Sequence, residues 1–425
     1  MIPRHISLYW ASISLSTTVR ALLSWLVSFW RKPAALRLEL IKHIGAAYGE
    51  GAWYAFGSAR SGLACFLKTF VNRGDEVIVS AYTCLAVPTG LVAAGAVPVY
   101  VDVNPDTLAI DEARLWASVT LKTKAVVVQH TLGNPAPIAA IRHKAHELGL
   151  LVIEDCALSL GTQIDGRYLG TFGDAAIFSM ELSKTLSCGW GGLVVVNNAA
   201  LVAAMDETYA LVPEQSIAHS TRDLLQTVIS TWCSHPLLLD FPGKYVMWLG
   251  WKLGLFRPST SADEFKGVVT ADFLCKMGGA QTVLAALQWL RFEQVAATCA
   301  DNHALFTTEL RALGYTVHVP KDGAIKVVAN RVSFLTKERE RMLNHFRSKH
   351  IELGVWFNGP LSPVPTEAIF NYKAGTFPLA KSVADHVVNI PCHNRLSLLD
   401  KRNIIACLRE YKKLHPDLDC TKSIH

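Results

Sequence analysis

Lys184 sits in the run Glu181-Leu182-Ser183-Lys184-Thr185, between the aliphatic stretches Ala175 to Met180 and Leu193 to Asn197. A bend, Ser187-Cys188-Gly189-Trp190-Gly191-Gly192, separates it from the second stretch. An amine presented between two buried strands can attack a carbonyl or move a proton. A carboxylate pair, Glu154-Asp155, closes the stretch Leu150 to Glu154, and in open α/β sheets the carboxyl ends of strands face the ligand crevice. Upstream, Gly57-Ser58-Ala59-Arg60-Ser61-Gly62-Leu63 puts small residues and hydroxyls just ahead of an apolar helix, where backbone N–H groups can hold a phosphate. Each feature has an ordinary reading by itself: a solvated loop lysine, a strand-end acid, a capped helix. Together they offer an amine for a Schiff base, an anion beside a pyridine nitrogen and a cup for a phosphate, the set that pyridoxal 5'-phosphate requires.

Strands and turns must hold these groups. Short aliphatic runs at Glu76 to Ser80, Val97 to Val103, Lys124 to Gln129, Leu150 to Glu154, Ala175 to Met180 and Leu193 to Asn197 read as buried strands. Helix-like segments such as Cys84 to Ala94 and Ala136 to Leu148 lie between them, so residues 50–200 form one α/β layer structure. Asp165-Gly166 is the turn of a hairpin between Thr162-Gln163-Ile164 and Arg167-Tyr168-Leu169. Beyond residue 200 the pattern changes. A mainly helical insertion is expected at about 213–265, a helix from Ala280 to Thr298, and a smaller α+β unit over 300–425 with strand candidates Gly314 to Val319 and Ala324 to Phe334.

The chain has 425 residues, 51% hydrophobic and 18% charged, a composition that excludes disorder and suits two or three domains with much buried or interface surface. A net charge of +6 is too small and too scattered for a nucleic-acid stripe. The ten cysteines show no CxxC pair and no regular spacing, so neither a metal site nor a disulfide framework is suggested, and a reducing cytoplasm fits. Ile6 to Val19 and Ala21 to Trp30 are apolar, but Arg20 interrupts them before the ~20 residues that a spanning helix needs. No small-residue cleavage site follows, so export is not expected. A second apolar stretch, Leu224 to Leu239, contains Pro236 and leads into Lys244, Tyr245, Trp248, Trp251 and Lys252. That mixture suits a partner subunit or a peripheral contact with a bilayer surface.

The run from Gly57 to Asn198 resembles the DegT/StrS family of pyridoxal-phosphate-dependent sugar aminotransferases. The strings that carry the resemblance are the Gly57 to Leu63 segment, Gly95-Ala96-Val97-Pro98-Val99-Tyr100-Val101-Asp102-Val103, Val152-Ile153-Glu154-Asp155-Cys156-Ala157, and Phe172-Gly173-Asp174-Ala175-Ala176-Ile177-Phe178-Ser179 leading to Lys184. It resumes at Gln281 to Leu290 and from Phe377-Pro378-Leu379-Ala380 to Ile390-Pro391-Cys392-His393. The resemblance implies the aspartate aminotransferase fold. An N-terminal helical arm (1–45) would precede a large α/β domain (46–290) with a mostly parallel seven-stranded sheet, followed by a small α+β domain (291–425). By position, Lys184 would carry the cofactor and then move protons, and Asp155 would pair with the pyridinium nitrogen. Ser179 would bond the phosphate with its hydroxyl, Ala59 and Arg60 would offer backbone N–H groups, and Ser58 and Ser61 would assist. The implied reaction moves an amino group from an amino acid, glutamate, to a keto-sugar or nucleotide-sugar, in a homodimer.

Departures from the family pattern bear on the substrate. Where the family carries a ring that stacks on the cofactor this chain has Cys84, which leaves Tyr82 as a substitute. A usual glutamine is Leu158, a usual acidic residue in the glycine bend is Trp190, and a cross-subunit asparagine falls near Leu274 or Lys276. Two other readings stay open at this point. One is a different pyridoxal-phosphate reaction on a sugar, such as dehydration, against which Lys184 speaks because the family's dehydratases lose that lysine. The other is a non-catalytic membrane-surface protein that keeps the fold. His130, Arg331, His393 and Trp356-Phe357-Asn358 are either walls of the site or ordinary packing residues.

Overall fold

A computed structural model describes residues 5–8, 12–49, 51–235, 238–266, 268–270, 273–319, 323–363, 370–373 and 375–416. Its centre is a seven-stranded sheet in the order Ala52–Phe56, Gly192–Val196, Ala175–Ser179, Leu151–Asp155, Thr123–Gln129, Glu76–Ser80, Val97–Val101. From Ala175–Ser179 to Val97–Val101 every pairing is parallel. Gly192–Val196 and then Ala52–Phe56 join in antiparallel pairings at the other edge. Successive side chains leave a strand on opposite faces, and here both faces are buried. Val77, Val79, Val127, Ile153 and Ile177 enter one apolar cluster, whereas Ile78, Val126, Val128 and Val152 enter another. That two-sided burial is why these strands read as continuous aliphatic runs rather than as alternating ones.

The expected strands are present with ends moved by a residue or two, and Gln163–Ile164 and Arg167–Tyr168 form the expected hairpin. Other expectations are corrected. Ala280 to Thr298 is not one helix, because Gly279–Trp289 and Phe292–Ala312 meet at Leu290-Arg291. Gly314 to Val319 forms no strand: Tyr315 and Val317 are buried in the small-domain cluster, and the Tyr315 N–H bonds back to the Leu310 carbonyl at 2.9 Å, as at a helix end. Ala324 to Phe334 splits in two. Ile325–Lys326 pairs with Gln163–Ile164, and Arg331–Leu335 pairs antiparallel with Val387–Pro391. The edge strand Ala52–Phe56 had no aliphatic run to announce it.

The segment after residue 213 is helical, with Ile217–Cys233 and Lys244–Lys252 as its main elements. Helix Ile217–Cys233 packs against both the N-terminal helix Leu15–Ser28 and helix Gly279–Trp289. Among the described residues no helix is long and apolar enough to cross a membrane.

One buried carboxylate ties the two halves of the molecule together. Asp102, just past strand Val97–Val101, accepts the backbone N–H of Ala380 at 2.8 Å and of Leu379 at 3.1 Å. These belong to the first turn of the C-terminal-domain helix Pro378–His386, whose early N–H groups have no intrahelical acceptor and favour an anion. Pro378 at the start has no N–H to satisfy. We expect Asp102→Ala to lower stability by roughly 1–3 kcal/mol, the cost of orphaned buried donors, and Asp102→Asn to lose less, as read from urea unfolding midpoints.

Candidate active site

Strand Ala175–Ser179 delivers the chain into a compact segment that carries Lys184 and returns at Gly192–Val196. The segment is pinned at its base, where Met180 N–H donates to Gly191 at 2.9 Å and Cys188 N–H to Met180 at 3.0 Å. Glu181 closes a local turn by accepting the N–H and hydroxyl of Ser183 at 2.9 and 2.6 Å. The Lys184 carbonyl accepts from the Ser12 hydroxyl at 3.3 Å, and Asn330 Nδ2 holds the Ser183 carbonyl at 3.1 Å. The lysine is thus fixed from the N-terminal segment and the small domain at once. Burial pushes the proton affinity of its amine down; Glu181, Cys84 and Asp155 oppose this, while Arg331 adds to it.

Asp155 ends strand Leu151–Asp155 and is 5% exposed. Its Oδ1 accepts from Ala157 N–H at 3.0 Å. Burial raises the carboxyl's proton affinity, and the Ala157 N–H, Lys184 and His130 pull the other way. Its neighbour Glu154 points to the opposite face. That wholly buried carboxylate accepts from the N–H groups of Gly170, Phe172 and Gly173 at 2.9, 2.7 and 2.6 Å, and meets His130 Nε2 at 3.1 Å. His130 Nδ1 accepts from Ala136 N–H at 3.1 Å, so the ring proton lies on Nε2, towards Glu154. His130, Glu154 and Cys156 place ligand atoms within 4.8 Å of one another. Four donors already occupy the Glu154 oxygens, so this is a positioning network rather than a metal cage.

Ser58 caps helix Ala59–Phe70, accepting from Ser61 N–H at 3.2 Å. The Ser61 hydroxyl lies 2.7 Å from that of Ser58 and donates to the Phe273 carbonyl. Gly192 passes so close that a Cβ there would lie 2.2 Å from Ala59 N and 2.5 Å from the Ser58 carbonyl carbon. The side chain of Arg60 is held by the insertion. Its guanidinium pairs with Glu264 at 2.9 Å and donates to the Ser259 carbonyl.

A cavity of about 480 Å³ gathers these groups. Lys184, Asp155, Ser179, Ser58, Ala59, Arg60 and Cys84 all line it. Tyr82 does not: its ring is fully buried edge-on to Phe357, and its hydroxyl bonds the Phe357 backbone, accepting the N–H at 3.0 Å. The expected substitute for the stacking ring therefore lies outside the wall, and Cys84, two residues on, faces the crevice in its place. Leu158 and Trp190 are on the wall, and Arg257 lies 6.0 Å over the Trp190 ring. Lys276 is directed to the Ala210 carbonyl at 3.3 Å and the Tyr209 ring at 4.9 Å, outside this wall. Arg331 and Trp356 meet in a narrow extension beside Lys184, the guanidinium 5.1 Å over the indole. His393 is a packing residue: its Nε2 bonds the Ser7 carbonyl at 3.0 Å, and burial holds its pKa down at about 4. Sequence reasoning missed the wall supplied by Ser230, Ser234, Met247, Ser259 and Thr260 of the insertion. Loop and insertion residues carry no periodic signal that could have marked them.

An L-glutamine:2-deoxy-scyllo-inosose aminotransferase of Streptoalloteichus tenebrarius is 39% identical over 160 residues, covering 37% of this chain and 38% of its own. A UDP-N-acetyl-3-dehydro-alpha-D-glucosamine 3-aminotransferase of Acidithiobacillus ferrooxidans is 39% identical over 169 residues, 39% of this chain and 45% of its own. The match thus spans less than half the length of these curated relatives. In fold, the chain is similar to the crystal structure of a DegT DnrJ EryC1 StrS aminotransferase from Brucella abortus, with a TM-score of 0.71 at 21% identity, over 93% of this chain and 95% of the other. The sequence model of the DegT/DnrJ/EryC1/StrS aminotransferase family matches residues 25–220 and 257–409, and the chain belongs to that family.

Proposed function

We propose that the protein is a pyridoxal-phosphate-dependent sugar aminotransferase, taking an amino group from an amino acid and giving it to the keto group of a sugar or nucleotide-sugar. The observation that carries this reading is a buried amine and a buried carboxylate, Lys184 and Asp155, on the wall of one cavity that also includes the start of helix Ala59–Phe70. The cavity volume suits a ligand of that size. When bound there, pyridoxal phosphate supplies a carbonyl carbon that can exchange amines and a ring that delocalises an electron pair.

The chain's own residues have separate tasks in this reading. Asp155, desolvated and short of a full cationic partner, would hold a proton on the ring nitrogen, since a buried anion depends strongly on such a partner. Ser179, Ser58 and the N–H groups of Ala59 and Arg60 would hold the phosphate at the positive end of the helix. Lys184, its proton affinity lowered by burial, would give up its proton more readily than a lysine in water and so could take a proton from a substrate carbon and return it nearby. Leu158, Trp190 and Trp356 keep water from the wall, and Cys84 presents a thiol where a stacking ring is usual. The names of both curated relatives concern sugar-like ketones, which supports the acceptor class. Glutamate is the donor that the resemblance suggests, and glutamine is the one in the first relative's name. A homodimer belongs to the same reading.

Lys184→Ala is expected to abolish both the visible absorbance of the lysine-linked cofactor and transamination from either donor; retained turnover would defeat the proposal. Product mass with and without donor separates amination from dehydration. Gly192→Ala should weaken cofactor retention roughly tenfold, about 1.4 kcal/mol and within the usual range for overpacking, measured by dialysis against free cofactor. Glu181 favours the charged form of Lys184. Removing that charge in Glu181→Gln lowers the amine's proton affinity further, so the acid limb of the turnover profile should move to lower pH. An upward move would contradict the assignment.

A further inference from the structure

The family match omits residues 1–24, 221–256 and 410–425. The second of these segments, and the helix that straddles the end of the first, carry many of the large apolar side chains left in water. On helix Leu15–Ser28, Leu23, Leu26 and Val27 are 59–64% exposed, and Trp30 just beyond it is 67% exposed. Their spacing puts them on one stripe. On helix Lys244–Lys252, Tyr245, Trp248, Leu249 and Trp251 are 47–64% exposed. Helix Ile217–Cys233 adjoins both and exposes Leu225, Ile229 and Trp232 at i, i+4 and i+7. Two indole N–H groups lock helix Leu15–Ser28 to helix Ile217–Cys233: Trp25 donates to Thr221 at 2.9 Å, and Trp232 to Thr18 at 3.0 Å. The stripes therefore lie on neighbouring, mutually fixed helices.

Charge decides what this face fits. Arg20, Lys244 and Lys252 are exposed on it, with Lys32 beyond the end of the first helix; Arg31 beside it is paired with Glu39 at 2.6 Å. Neither Leu15–Ser28 nor Lys244–Lys252 contains an acidic residue. The one acid of helix Ile217–Cys233, Asp223, is buried and paired with Arg222 and Arg257 at 3.0 and 3.2 Å. Two copies meeting through these helices would bring cations together with no acid on the helices to offset them. An anionic surface meets the same cations favourably. Lys252 Nζ lies 4.8 Å over the Trp248 ring, so charge and indole sit at one level, the arrangement suited to a headgroup layer.

We propose that the face made by helices Leu15–Ser28, Ile217–Cys233 and Lys244–Lys252 docks onto an anionic phospholipid bilayer, lying on it rather than crossing it. This interaction is independent of the transamination reading, because none of the stripe residues lines the cavity.

The test is flotation of the full chain with vesicles of phosphatidylglycerol in phosphatidylcholine, and with phosphatidylcholine alone. Binding is expected to the anionic vesicles, to weaken as salt is raised, and to be slight on the neutral ones. Lys252→Glu should weaken it at least fivefold, the scale of one interfacial cation, and Leu26→Ser with Trp30→Ser should weaken it further. Circular dichroism and the visible cofactor band report folding and the site separately, and both should be unchanged. Absence of the full chain from the anionic vesicle fraction overturns the proposal, as does equal binding of folded variants. A change in particle mass by light scattering in these variants also overturns it, since the face would then join two copies.

Discussion

The Glu154 carboxylate, out of contact with water, gathers three backbone N–H groups from the turn at residues 170–173 and the Nε2 proton of His130. Charge-assisted bonds of this kind are about twice as strong as neutral ones, and leaving any one of the donors unmet costs roughly 1–3 kcal/mol. The network joins the end of strand Leu151–Asp155 to the turn that opens strand Ala175–Ser179. Those two strands set Asp155 beside Ile177, two residues before Ser179, and launch the segment holding Lys184. The relative position of the proposed acid partner, phosphate ligand and amine thus depends on a residue that touches none of their chemistry.

The cavity itself is built against the preferences of its ionisable groups. Burial disfavours charge on Lys184 and on Asp155, and each offsets part of the other's cost. Neither is satisfied as fully as Glu154. A site that leaves its carboxylate and amine under-compensated is prepared to gain from a charged guest, whereas the structural acid is already saturated.

Sequence patterns disclosed the sheet because parallel strands buried on both faces must be apolar throughout, and Val77 to Val79 or Val126 to Val128 could hardly be anything else. The amine, the strand-end acid and the capped helix were legible for the same reason: each occupies a position fixed by its element. The carboxylate pair at 154 and 155 was legible as a pair but not as a division of labour, which follows from the two-residue alternation of a strand. Tyr82 was misplaced because a local turn decides which of its neighbours faces the crevice. Gly314 to Val319 looked like a strand because apolar residues alternate there, yet the Tyr315 N–H turns back to the preceding helix instead of joining a ladder. Ser230, Ser234 and Met247 reach the cavity through tertiary packing alone, which leaves no periodic trace.

The insertion is wired into the family frame by charge as well as by contact. Asp223 and Gln226 lie in residues 221–256, which the family match omits, and Arg257 just past them; Gln226 both donates to the Arg257 carbonyl at 2.9 Å and accepts its N–H at 2.8 Å. Arg257 in turn covers Trp190 in the bend beside the proposed catalytic lysine. Excising residues 221–256 to recover a minimal enzyme would strand a guanidinium and uncover an indole. A chimaera with a relative that lacks the segment must exchange positions 190, 223, 226 and 257 as one unit.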